Sequence, residues 1–451
     1  MRMALNAIAL AVGAPFSGEN VEVTGVTMDS RRVRPGDLFV AVPGARVDGH
    51  DFAKDAVAAG AVAILASRPL PVTVPVLVVP DTVRALGALA RAWRDATRAR
   101  VVAVTGSAGK TTVKETLALV LSGQGKVGKN PGNFNNQLGL PLSMLALDGD
   151  EDFWVLEVGI SQPQDMDELG AILAPDMALI TNAGLAHAEA LGGVGGVARH
   201  KARILAWLRP GGVGVWNMGC PELHAACAQA GCPSVTFAGS ADVDADVRVL
   251  ARQKTSAGFA FTVACAGDSV QLQATAACAH AENVAAVVAA AWHLGVPMAA
   301  VETGLLAVSP QAGRFVCRER GAWVLIDDTY NANPLSMTTA FAEARQVAGT
   351  RPLVAVLGEM RELGVHAPAA HRRLGELARA AQCPLVVYRG AHADAVAEGL
   401  GPGTALCVTD TPKEAWEAFV ALGLPNAVLL FKGSRGSRME EFLAYFEERL
   451  A

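Results

Sequence analysis

Short apolar runs recur along the chain, separated by stretches whose apolar residues return every three or four positions. In the first hundred residues "DLFVAV" (37–42), "AVAILA" (61–66) and "VPVLVV" (74–79) predict strands. "DFAKDAVAAGA" and "TVRALGALARAWRDATR" predict helices, the second ending in basic residues as a helix C-terminus favours. At the N-terminus Leu5, Ile8, Ala9 and Val12 share one helical face. Arg2 and the apolar stretch after it imitate a signal peptide, but Asn6 interrupts the run, and a helix with one apolar face is expected. A second series begins at "RVVAVTGSAGKTT" and continues through "FWVLEVG" (153–159), "MALITNAG" (177–184) and "GGVGVWN" (211–217). From about 235 to 275, "SVTFAG", "DVRVLARQ", "GFAFTVACAG" and "SVQLQATA" alternate with Gly/Ser/Asp turns and predict a small antiparallel appendage. A third series starts near Gly313 with "WVLIDD", "RPLVAVLG", "CPLVVYRG" and "AVLLFKGS". Near-continuous apolar strands alternating with helices require mostly parallel sheets covered on both faces. The expectation is an α/β protein of three domains, 1–98, 99–312 and 313–451.

Composition narrows the partners. Half of the 451 residues are apolar, fewer than a fifth are charged, and the net charge is −5. No basic block stands out, so no nucleic-acid footprint is expected. The Ala-rich stretch near 283 is broken by His293 and Pro297 and falls short of the roughly 20 apolar residues of a membrane span. Eight scattered cysteines without a CxxC pair argue against zinc, dithiol chemistry or a disulfide scaffold, and fit a reducing cytoplasm. No segment suggests an obligate oligomer, so a monomer is expected.

"VVAVTGSAGKTT" reads as a buried strand, a glycine turn and a helix start. Gly106 and Gly109 allow the tight turn around Ser107 and Ala108 that aims N–H groups at phosphate oxygens. Lys110 reaches outer phosphates, and the hydroxyl of Thr111, which Thr112 follows, suits Mg²⁺. Val104 stands where a Walker A loop has its first glycine. Glu157 ends one strand and His187 follows another. In an open parallel sheet such positions share one crevice with the phosphate loop. Read alone, Glu157 is also a solvated strand-end carboxylate, Lys201 a solvated helix lysine, Asp48-Gly49 a turn and Ser30 a cap. Asn133, Asn135 and Asn136 offer amides beside the phosphate loop. Asn333 is a plausible N-cap, with Pro334 as the first helical residue.

In their order along the chain, "TGSAGKTT", "NFNNQLGLP" (133–141), "LEVG" (156–159), "ITNAGLAH" (180–187) and Lys201 resemble the Mur ligases. "DDTYNANPLSM" (327–337), "LGEMRELG" (357–364) with His371 and Gly375, "KGSRGSRMEEF" (432–442) and the early "TMDSRRVRPGDLFVAVPGARVDGHDF" are similar to the MurF type, the UDP-N-acetylmuramoyl-tripeptide:D-alanyl-D-alanine ligases. The resemblance implies a UDP-sugar-binding N-terminal domain, a central P-loop-type ATPase domain, and a Rossmann-like C-terminal domain that meets nucleotide and incoming dipeptide. The implied activity is ATP-dependent amide-bond formation through an acyl phosphate, with ATP and Mg²⁺ as cofactors, and UDP-MurNAc-tripeptide and D-Ala-D-Ala as substrates. It implies catalytic roles for Lys110, Glu157, His187 and Lys201, the last carbamylated and joining Thr111, Glu157 and His187 around metal. Asn283, Arg314, Asp328 and Tyr330 would join residues 106–112 around ATP. Ser30, Arg31, Asp48, His50, Asn133, Asn135, Asn136, Asn331 and Asn333 would contact the other substrates. The chain departs from the family wording at Ala202 and Arg203, at "GISQPQDMDEL" after Glu157, and at His280, three residues before Asn283. Rival readings are a MurE-type or folylpolyglutamate-type ligase and a non-catalytic nucleotide-binding regulator. No "DNPR"-like segment of the MurE type is present, and intact Lys110, Glu157, His187 and Lys201 argue against a lost site.

Overall fold

Each series of apolar runs builds a sheet. The computed structural model describes residues 1–44 and 47–450. The first sheet has four parallel strands in chain order, Gly25–Thr27, Asp37–Val40, Ala63–Ala66 and Val76–Val78. The middle sheet has nine. Its parallel part runs Val213–Asn217, Met177–Ile180, Arg100–Thr105, Phe153–Glu157, Val127–Lys129. The third sheet has six strands, in the order Val316–Arg320, Trp323–Asp328, Ala427–Lys432, Leu353–Gly358, Leu385–Arg389, Ala405–Val408, and only the first is antiparallel.

The expected antiparallel appendage differs in detail. Ser234–Ala238 lies parallel to Val213–Asn217 and to the start of Val247–Thr255. Only Val247–Thr255, Gly258–Cys265 and Asp268–Ala274 are antiparallel to one another, and they extend the middle sheet itself. Their alternation of buried and solvated positions is legible in sequence, but which sheet edge they join is not. Val127–Lys129, Val316–Arg320 and Ala405–Val408 were not expected as strands. All three are sheet-edge strands: Val127–Lys129 and Val316–Arg320 carry no continuous apolar run, and the apolar run of Ala405–Val408 is only four residues long and partly exposed.

The helix Thr82–Ala96 is shared between the first two regions. Its Leu86, Leu89 and Trp93 join Leu5 and Ile8 of the helix Leu5–Val12 in an apolar cluster that continues through Leu140, Met144 and Leu169. The basic end of that helix acts on a neighbour. Arg94 is fully buried, and its guanidinium donates to the carbonyls of Leu173 and Ala174, at the end of helix Asp165–Leu173, and to Asp176 at 2.8 Å. A cation thus serves the carbonyl end of a second helix. The Ala-rich stretch is the buried helix Ala281–His293, and among the described residues no helix is long and apolar enough to cross a membrane.

Candidate active site

The phosphate loop joins Arg100–Thr105 to the helix Lys110–Ser122. Gly106 has φ +150°, and a Cβ there would fall 1.9 Å from Thr181 Oγ1; Gly109 has φ +80°, and a Cβ there would fall 2.4 Å from Asn283 Oδ1. Both glycines are therefore required by conformation and by close approach. Asn283 packs beneath the loop at this point. The first half of the loop is held from the next strand: Ser107 and Ala108 donate their N–H groups to Asn182 Oδ1 at 3.1 and 2.8 Å. Gly109→Ala is expected to weaken ATP binding about 5- to 150-fold, because strain of about 1–3 kcal/mol at this turn falls on the phosphate-bound geometry. Titration of nucleotide into the variant measures it, and an unchanged affinity would show that the loop tolerates the side chain.

Around this loop the structure gathers several of the predicted residues. Thr111 Oγ1 donates to Glu157 Oε2 at 2.6 Å, and Arg314 donates to Thr111 Oγ1 at 2.8 Å. Asn135 donates to Glu157 Oε1 at 2.8 Å. Glu157 is only 3% exposed, so it is not a solvated strand end. Its main chain is paired by the buried Asn130, whose side chain accepts from Glu157 N–H and donates to the Glu157 carbonyl. Lys110 Nζ donates to the Gly106 carbonyl at 2.9 Å. Lys201 is 3% exposed at the end of helix Gly193–Ala202. Its burial overturns the solvated-lysine alternative, and the charges that act on it are those of Lys110 and Glu157. Burial, then repulsion from Lys110, pushes its ammonium well below the usual lysine range, and Glu157 offsets this only in part. Lys110 is lowered by burial and by Arg314. Burial also lowers His187, with Lys201 and Lys110 adding to it and Glu362 opposing. Lys110 and Arg314 thus bring two cationic side chains beside Glu157, an arrangement that suits anionic ligands.

The third domain supplies the rest. Asp327 and Asp328 are consecutive in a strand and point to opposite faces. Asp327 accepts from Thr329 and Arg318 and is structural. Asp328 pairs with Lys432, its register partner on the neighbouring strand, at 2.7 Å, and Lys432 also donates to the Asn331 carbonyl. Tyr330 lies under the Arg314 guanidinium, 4.0 Å from ring centre to cation. Asn333 is the N-cap of the helix Pro334–Ala348, in a reciprocal pair with Ser336, and its amide also donates to the Ser107 carbonyl of the phosphate loop at 3.1 Å.

Other predicted residues stand elsewhere. Ser30 and Arg31 form a short turn after Gly25–Thr27, where Asp29, not Ser30, is the cap. Asp48 caps the next turn, and His50 is buried, with Nδ1 against Asp48 and Nε2 accepting from Ser67 N–H. Its ring shapes the loop and has no nitrogen left for a ligand. Asn136 Oδ1 accepts from the N–H groups of Leu138 and Gly139 where helix Gly139–Leu145 begins, while Asn133 is exposed. Beyond the expected set, Asn130, Asn182, Glu362 and Lys432 hold the site together. Asn182 and Glu362 sit inside "ITNAGLAH" and "LGEMRELG", so a polar residue just past an apolar run was the available signal. The carboxyl ends of Leu353–Gly358, Leu385–Arg389 and Ala405–Val408 also open a cavity of about 750 Å³ lined by Glu359, Arg361, Arg389, Thr409, Asp410 and Ser437.

Three family models match the chain. They are the Mur ligase family catalytic domain at 22–94, the Mur ligase middle domain at 104–291, and the Mur ligase glutamate ligase domain at 313–435. The UDP-N-acetylmuramoyl-tripeptide–D-alanyl-D-alanine ligase of Escherichia coli is 34% identical over 435 residues, 96% of each chain. A crystal structure of MurF from Acinetobacter baumannii superposes with a TM-score of 0.91 at 30% identity, covering 99% of both chains. The MurF ligase of Thermotoga maritima in complex with ADP gives 0.85 at 30% identity, covering 95% of this chain and 98% of that one.

Proposed function

Because this chain belongs to the Mur ligase family, we propose that its residues divide the work of one reaction: the ATP-dependent joining of D-alanyl-D-alanine to UDP-N-acetylmuramoyl-tripeptide in peptidoglycan synthesis. The tripeptide carboxylate takes the γ-phosphoryl group of ATP. The dipeptide amine then attacks the acyl phosphate, and the products are the amide, ADP and phosphate. One observation carries the division of roles: Arg314 and Asn333, from the third domain, reach Thr111 and Ser107 of the phosphate loop. Two anions must meet in this reaction, and Lys110 and Arg314 lower their repulsion.

Thr111 and Glu157, a hydroxyl and a carboxylate 2.6 Å apart, are hard oxygen donors that fit Mg²⁺. His187 and a carbamylated Lys201 would complete that set, and the ion would supply charge neutralisation at the phosphates. As an ammonium, Lys201 is buried and repelled by Lys110; as a carbamate it becomes the anion that Lys110 attracts. Tyr330 stacks on Arg314, and Asp328 fixes the loop through Lys432. The first sheet takes the uridine nucleotide at the turns that Asp29 and Asp48 cap, with Ser30 and Arg31 at its edge. The third-sheet cavity takes the dipeptide, whose carboxylate suits Arg361 and Arg389. The domain division is 1–98, 99–312 and 313–451, with helix Thr82–Ala96 as the shared wall between the first two. The enzyme works as a monomer in the cytoplasm, where its eight cysteines stay reduced.

Phosphate release by the purified enzyme with ATP, Mg²⁺ and UDP-MurNAc-tripeptide tests the substrate. Turnover is expected with D-Ala-D-Ala and not with single amino acids. Turnover with a single amino acid alone would sink the reading and favour a MurE-type reaction.

A further inference from the structure

Two non-glycine residues with left-handed backbones meet across the boundary between the second and third domains. His187, at the start of helix Ala188–Leu191, has φ +55°, and Glu362 has φ +62°. Such conformations are rare outside glycine and persist where the surroundings enforce them, often at working sites. Here the Glu362 carboxylate lies in ion-pair contact with Nδ1 of His187, a buried ring nitrogen that no hydrogen bond occupies. Glu189 donates its N–H to the Glu362 carbonyl at 3.3 Å. Gly364, at φ +52°, packs so closely on Glu189 that a Cβ would stand 3.0 Å from the Glu189 side chain. The segment 359–364 therefore clasps the turn that carries His187. At its other end, Glu359 and Arg361 line the third-sheet cavity. One short segment touches both places.

We propose that Glu362 is a positioning residue, brought by the third domain to His187, which fixes the imidazole with its proton on Nδ1 and its lone pair on Nε2. A carboxylate on one ring nitrogen sets the tautomer and so decides which nitrogen can accept a proton or hold a cation. The contact exists only while the third domain is seated on the second. The proposal rests on the ligase reading for its rate effect, but not for its spectroscopic one.

The test uses the full-length enzyme labelled with ¹⁵N-histidine, with ADP present, as wild type, Glu362→Ala and Glu362→Gln. Glu362 is largely exposed, so neither substitution threatens folding. In the wild type the His187 ring is expected with Nδ1 protonated and Nε2 bare, and Glu362→Ala is expected to lose that preference. In turnover, Glu362→Ala is expected to lower kcat about 10–100-fold with the KM for ATP within about twofold, and Glu362→Gln, which keeps the shape and a side-chain oxygen but not the charge, to fall less. An unchanged His187 tautomer in Glu362→Ala overturns the proposal, as does an unchanged kcat. If the wild type fails to use D-Ala-D-Ala, the ligase reading fails, and the tautomer measurement still decides the role of Glu362.

Discussion

Lys201→Ala is expected to lower turnover about a thousandfold, the scale of removing one preorganised charged group from a phosphoryl-transfer site, and a short carboxylic acid added to the assay is expected to restore part of it. The reason lies in burial. Lys201 is 3% exposed and faces Lys110. An ammonium is disfavoured twice there, by desolvation and by a like charge. A neutral amine is the form that adds CO2, losing a proton as the N–C bond forms, and the resulting carbamate is an anion beside Lys110. Alanine leaves room for a free carboxylate to take over that charge. Added bicarbonate is expected to raise the activity of wild type prepared without it. Full activity of Lys201→Ala without rescue would show that no carbamate is needed.

Glu157→Gln is expected to cost about 100–1,000-fold in kcat and to raise the Mg²⁺ concentration needed for half-maximal rate. The substitution keeps the shape of a side chain that is only 3% exposed, and the main-chain pairing by Asn130 does not depend on its charge. Folding is therefore expected to survive. What is lost is the negative charge that Thr111 and Asn135 orient from two sides at 2.6 and 2.8 Å. Titration of Mg²⁺ against phosphate release measures the effect. An unchanged metal dependence would remove Glu157 from the metal set.

The parallel strands, the glycine turn into Lys110–Ser122 and the Asn333–Pro334 helix start were legible, because each depends on residues within a few positions of one another: apolar runs, glycine φ freedom, a cap. The capping pair Asn333–Ser336 is the case in point. The second use of Asn333, its amide on the Ser107 carbonyl, spans 226 positions and has no local signature. The same holds for Arg314 on Thr111 across 203 positions. Arg94 illustrates a local rule applied at a distance. Its position at a helix end is readable, but the carbonyls it serves belong to a helix some 80 positions later. Asp327 and Asp328 are alike in sequence and opposite in role, because strand alternation sends one to Arg318 and the other to Lys432.

The sequence by itself determined the class of fold, the phosphate loop and the order of family motifs along the chain, since these are properties of neighbouring residues. Only the tertiary structure decided that Lys201 is buried rather than solvated, that His50 is committed to its own loop, that the antiparallel strands extend the middle sheet, and that Glu362 reaches His187. Burial and ion pairing are set by what the fold brings within a few ångströms, and the partners in each case come from distant parts of the chain.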